Sequence, residues 1–153
     1  MNIDFGNWSY ERLRDVFDIA RANKSKEYPK DTILVQVSAT RGQTIYLDKA
    51  QCVEDGSKYA ALTVKEPGKY NAKYLYHILD VNMPDIVRRC VSGINLQMDE
   101  LSGVKIPIHK DMNTQNVIAV LLDTIVRCGE IEEREAELLT KHMHQMQNRM
   151  LCR

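Results

Sequence analysis

Apolar and polar positions alternate in blocks along this chain, and each block predicts an element. The stretch WSYERLRDVFDIAR, residues 8–21, places Leu13, Val16, Phe17 and Ala20 three or four apart, which predicts an amphipathic helix capped by Ser9. ANKSKEYPKD, residues 22–31, is polar and basic and holds Pro29, so it reads as a surface loop. TILVQVSA is β-branched and apolar and predicts a buried strand; Thr40–Thr44 is a hairpin tip broken at Gly42, and IYLDKAQCV returns as strand. KYAALTVKE predicts a third strand, stopped by Pro67-Gly68. NAKYLYHILDV sets Tyr74, Leu75, Ile78 and Leu79 on one helical face, and Pro84 is expected to open a second short helix, PDIVRRCV. In SGINLQMDELSGVKIPI, Gly93–Leu96 reads as an extended piece, Asp99–Ser102 as a turn, and Val104–Ile108 as a strand that Pro107 ends.

Beyond residue 113 the pattern is helical throughout. From Thr114 to about Met150 there is no proline and one glycine, Gly129. Ile118, Leu121, Ile125 and Cys128 recur at spacings of three, four and three; Leu139, Met143, Met146 and Met150 continue at four, three and four. Between these runs lies the acidic EIEEREAE. Such a seam marks one side of a helix roughly 55 Å long at ~1.5 Å per residue. A head of about 110 residues has a radius of gyration near 13 Å. The seam is therefore expected to meet a second chain. The division implied is a mixed α/β (α+β) domain over 1–110 and a helix over 111–153 that pairs as an antiparallel coiled coil.

Composition narrows the classes. Net charge is zero with 44% hydrophobic and 27% charged residues, and no run of ~18 apolar residues exists to span a bilayer. The acidic opening MNIDFGNWSYERLRD lacks the basic and apolar pattern of a signal peptide, and a cytoplasmic setting is expected. Four cysteines, Cys52, Cys90, Cys128 and Cys152, form no CxxC pair, which favours reduced thiols. Residues 1–110 hold sixteen Lys+Arg against fourteen Asp+Glu, +2, and residues 111–153 hold five against seven, −2. This balance lacks the basic excess usual for a nucleic-acid binder, yet permits a local basic face.

Catalytic constellations are missing: no GxxxxGK[ST], no GxGxxG after a strand, no GxSxG. No cofactor or metal is expected. His142 and His144 lie two apart, on different sides of a helix, and read as exposed polar positions. His77 reads as a packed core histidine, and the late methionines as coil filling rather than an adaptable face. Basic residues gather in loops instead. Arg21, Lys24, Lys26 and Lys30 border the first loop, Arg41 sits at the hairpin tip, Lys58 precedes the third strand, and Arg88-Arg89 are adjacent. Such side chains bond phosphates or guanine edges.

The order of these features resembles a known family. Trp8 followed by ERLRDVFDIARANK is similar to the opening of a target recognition domain in the specificity subunit of type I restriction-modification enzymes, where W-x-x-x-x-L-x-[DE]-x-F-x-[IV] leads into a basic loop. KYNAKYLYHILD resembles that family's N-x-x-[YF]-L-[YF]-[YF]-x-L helix. Ser92–Ile108 resembles its exit segment, closing in IP, and the final helix resembles its spacer helix, which begins at a glutamine, here Gln115. A complete specificity subunit has two recognition domains and two spacer helices. This sequence has one of each and so resembles a half-subunit. The PPLxEQ expected before the helix appears as PIHKDMNTQ, keeping only the first proline and the glutamine.

The resemblance implies a non-catalytic subunit that reads double-stranded DNA, pairs with itself through the helix, and docks a methyltransferase subunit; a restriction subunit is left open as a further partner. Lys24, Lys26 and Lys30 would position the domain on phosphates, with Thr40, Arg41, Gln43 and Lys58 nearer base edges and Arg88 and Arg89 adding contacts. Two-fold symmetry would make the target a gapped inverted repeat. The other reading is a phage or mobile-element protein that keeps this scaffold and blocks or redirects a host defence complex. An enzyme not visible in the motifs is the third.

Overall fold

The computed structural model describes residues 6–37, 42–92 and 95–151, with backbone alone at 91–92 and 147–151. In chain order the elements are β1 (Trp8–Arg12), α1 (Leu13–Val16), β2 (Phe17–Arg21), β3 (Glu27–Tyr28), β4 (Ile33–Gln36), β5 (Thr44–Tyr46) and β6 (Gln51–Cys52). A 3-10 turn at Gly56–Lys58 leads to β7 (Tyr59–Val64), α2 (Ala72–Cys90), β8 (Val91–Ser92), β9 (Asn95–Leu96), α3 (Met98–Gly103), β10 (Lys105–His109) and α4 (Met112–Leu151). Two compact units result, one ending at Ala119 and the other starting at Val120, so the first turns of α4 belong to the first unit.

The first unit is built on a four-stranded antiparallel sheet in the order β2-β7-β4-β5. Its two central strands, β7 and β4, are apolar on both sides because both faces are covered. Ile33, Val35 and Leu62 join the main core with Tyr74, Leu75, Leu79 and Met83 of α2. Leu34 and Ala61, on the opposite face, pack with Tyr28 of β3 and with Ala22, Leu47 and Val53 of the connecting segments. The tip residues Thr40 and Arg41 and the side chain of Met150 lie outside the described residues.

Residues 8–21 do not form the expected helix. Leu13, Val16 and Phe17 are buried as their spacing suggested, but one helical turn, α1, is enough to bury them. Either side of that turn the chain is recruited into strands, β1 against β10 and β2 against β7. Ser9 caps nothing; its hydroxyl donates to Glu11 and to the Ile108 carbonyl. Partners about forty or more residues away outweigh a local helical period.

Pro84 likewise opens no new helix. It lies inside the continuous α2. The buried positions Leu79, Met83, Ile86 and Cys90 keep helical spacing across it, and this packing outweighs an interior proline's cost of ~3 kcal/mol. Pro107 sits within β10 opposite Tyr10 rather than ending it. Among the described residues β10 pairs with β1 alone, and its other edge tolerates a missing N–H. Asp99–Ser102, read as a turn, lies in the short helix α3, which buries Leu101. The IYLDKAQCV stretch is split between β5 and β6. Ser92–Ile108 nonetheless packs the domain, through Leu96, Leu101, Ile106 and Ile108.

The start of α4 is fixed by polar groups. Gln115 is fully buried; its Oε1 accepts the Asn71 N–H at 2.8 Å, and its Nε2 donates to the His109 carbonyl at 2.7 Å and the Lys69 carbonyl at 3.2 Å. Tyr74 extends the network, its hydroxyl accepting the buried His109 N–H at 2.9 Å. Asp111 caps the helix, accepting from the Thr114 N–H at 2.8 Å and hydroxyl at 2.7 Å. Those hydrogen bonds hold the Asp111 carboxyl below its usual range.

Two outcomes are expected. Gln115→Leu leaves one N–H and two carbonyls without this partner and lowers unfolding free energy by about 2–4 kcal/mol, read by urea denaturation. An unchanged urea midpoint would refute the role given to the carboxamide. Because the folded pKa of Asp111 is depressed, its contribution is present above the unfolded pKa and is lost as pH falls through the folded value. Asp111→Asn should therefore flatten the fall in urea midpoint below about pH 4; a curve parallel to that of the unmodified chain would count against the cap.

Candidate nucleic-acid interface

One end of the sheet gathers most of the candidate basic positions. The pairs Arg21–Ala60, Gln36–Tyr59 and Val35–Thr44 place the end of β2, the start of β7, the end of β4 and the start of β5 side by side. Three connections therefore emerge together: residues 22–26, the turn at 54–58, and the β4–β5 hairpin.

The first connection is tightly built. The Asn23 N–H donates to the Tyr28 hydroxyl at 2.8 Å, the Asn23 side chain accepts the Ser25 N–H at 2.9 Å, and the Lys26 N–H reaches the Asn23 carbonyl at 3.1 Å. This Asx turn presents Lys24 and Lys26 outward, with the Lys26 ammonium 5.3 Å from the centre of the Tyr28 ring. The turn at Gly56 lies directly against it. A Cβ at Gly56 would be 2.7 Å from the Lys24 nitrogen, so only glycine permits the approach. A shallow cleft runs between the two, lined by Arg21, Asn23, Lys24, Glu54, Asp55 and Ser57.

Lys58 follows in the same turn. Its ammonium meets Asp55 at 2.7 Å, and this hydrogen bond raises its pKa. Its carbonyl accepts the Val37 N–H at 2.8 Å, which ties the hairpin's ascending side to this turn. The descending side is held by α2. Gly42, at φ 57°, lies so close to Val87 that a Cβ there would be 2.4 Å from the valine's methyl. Gln43 beside it is exposed. The contact brings the last turn of α2 to the same end, with Arg88 paired to Asp85 at 3.3 Å and Arg89 exposed.

Lys30 is placed elsewhere. Asp31 and Thr32 bond Leu47 at the other end of β4, where Lys30 borders a cavity with Tyr46, Thr63, Tyr70 and Lys73. Thus Lys24, Lys26, Gln43, Lys58, Arg88 and Arg89 share one end of the sheet and Lys30 does not. Sequence reading missed the residues that shape this end: Asn23, Tyr28 and Gly56. Asn23-Lys24-Ser25 was a legible turn signal, but the Gly56 contact depends on a tertiary approach. His77 is buried beside Tyr76, ring centres 5.0 Å apart, as its apolar neighbours implied.

On α4 the apolar seam is open. Leu121, Ile125, Leu139, Met143 and Met146 are 51–66% exposed, and Cys128 is also exposed. Ile118 differs, being half-buried against the main core. No helix among the described residues is long and apolar enough to cross a membrane.

Comparison with known proteins places the fold. Solved structures share the fold: the type I restriction-modification S subunit of M. genitalium superposes with a TM-score of 0.66 at 18% identity, covering 83% of this chain and 41% of that one. A chain solved in work on complex assembly and conformational transition of the type I R-M system gives 0.66 at 20% identity, covering 86% and 42%. The HsdS subunit of Thermoanaerobacter tengcongensis gives 0.61 at 19%, covering 84% and 40%. This chain thus spans less than half the length of each. A search of curated proteins finds no match. The model of the type I restriction modification DNA specificity domain matches residues 18–141, most of the sequence, and the chain belongs to that family of non-catalytic DNA-recognition domains.

Proposed function

We propose that this chain is a DNA-reading half-subunit of a type I restriction-modification system, working in the cytoplasm as a homodimer. The observation that carries the reading is the convergence of Lys24, Lys26, Lys58, Arg88 and Arg89 around the β4–β5 hairpin at one end of the sheet. Lys24 and Lys26, on a loop braced by Asn23 and Tyr28, bond phosphates and set the register of the domain on the duplex. Gln43 and Lys58 flank the hairpin and face base edges, together with Thr40 and Arg41, which are assigned from the sequence alone. Each base contact discriminates by roughly 1–3 kcal/mol. Asp55 and Asp85 draw off part of the positive charge, so binding relies on local geometry more than on net charge.

The exposed apolar seam of α4 supports pairing with a second copy, and two-fold symmetry then gives a gapped inverted-repeat target. The remaining surface of the helix docks a methyltransferase subunit, which supplies the chemistry.

Selection from a random duplex pool, together with mass in solution, tests this reading. A dimer enriching a split palindrome is expected; a monomer enriching nothing would overturn it. Lys24→Gln with Lys26→Gln should weaken binding about equally across sequences and lower the salt slope by about 2, whereas Gln43→Ala should change which bases are enriched.

A further inference from the structure

The seam of α4 is a palindrome. Leu121 and Met143 each lie eleven residues from Glu132, Ile125 and Leu139 seven, and Cys128 and Ala136 four. The outermost pair, Ile118 and Met146, lies fourteen residues to either side. At 3.6 residues per turn all of these positions fall within an arc of about 80°, with Glu132 at its middle. The inner six residues are all exposed. Within this stripe Glu132 is the only charged member.

From this pattern, and resting on the homodimer reading, we propose that two copies of α4 pair antiparallel in the register that puts Glu132 on the two-fold axis. Every layer then joins mirror positions: Leu121 meets the copy's Met143, Ile125 its Leu139, and Cys128 its Ala136. A stripe that matches itself on reversal is what an isologous interface requires. Antiparallel pairing also opposes the two helix dipoles. It sets residues 113–128, with one acid and one base, beside 136–151, with one acid and two bases; a parallel pair would put the more cationic ends together. At the centre the two Glu132 carboxylates face each other, flanked by the short side chains of Cys128 and Ala136. Like charges there weaken the pair and exclude registers that would bury either carboxylate among the larger apolar side chains. The acid is thus a register lock, and it keeps the dimer weaker than its apolar layers alone would make it.

Disulfide trapping of the full-length chain tests this, in a background carrying Cys52→Ser, Cys128→Ser and Cys152→Ser with the buried Cys90 retained. Glu132→Cys should cross-link to itself under mild oxidation. Leu121→Cys alone should not, but mixed with Met143→Cys it should form a mixed disulfide. Self-cross-linking of Leu121→Cys would mean a parallel pair and overturn the proposal. A dimer by sedimentation equilibrium that traps at none of these positions would overturn the register and leave the homodimer standing. A monomer would remove both. Separately, Glu132→Leu in the natural background should tighten dimer dissociation at least about tenfold, and equal or weaker dimerisation would refute the central placement of the charge.

Discussion

The buried carboxamide of Gln115 is the contact on which the rest of the first unit depends. One side chain accepts the N–H of Asn71 and donates to the carbonyls of His109 and Lys69. It thereby joins the approach to α2, the end of β10 and the first turn of α4. Neither a carboxylate nor an apolar group of similar size both donates and accepts in this way. Around it Tyr74 and Asp111 satisfy neighbouring backbone groups, and no buried side-chain nitrogen or oxygen among the described residues lacks a partner. A long helix that leaves a domain needs its first turns fixed; here a satisfied polar network fixes them.

A sheet covered on both faces gives the basic end its rigidity. The strands are held by apolar packing from α2 on one side and by the segments around Tyr28 and Leu47 on the other. The connections at the basic end inherit that order through particular contacts, the Asn23 turn, the Gly56 approach and the Gly42 seat on α2. In the proposed reading the backbone that carries these basic side chains is set before any ligand arrives, so less conformational entropy is lost on binding. Ion pairs with Asp55 and Asp85 remove part of the charge of Lys58 and Arg88, so the placement of the basic residues matters more here than the chain's net charge of zero.

The second unit follows another rule. Beyond Ala119 the described residues of the helix form no core of their own, and most of their large apolar side chains are exposed. A helix of this kind is stabilised chiefly by what its seam packs against. The proposed pairing meets that requirement with the chain's own reversed copy, and Glu132 at its middle exchanges some strength for a single register.

By itself the sequence determined the features that depend on near neighbours along the chain. The spacing of three and four without proline fixed α4, and the apolar run ILV fixed β4. The order of its motifs also sufficed to recognise the family. Tertiary structure decided whatever depends on partners far away in sequence. It turned residues 8–21 into two strands, because β10 and β7 offered pairing that no local pattern records. It carried α2 through Pro84 and β10 through Pro107, because packing on one side and an unpaired edge on the other removed the reason to stop. It also separated Lys30 from Lys24 and Lys26, which lie in one loop of sequence but at opposite ends of the sheet. Periodicity reports which face of an element is apolar; only the assembled fold determines what that face meets and which loops finish side by side.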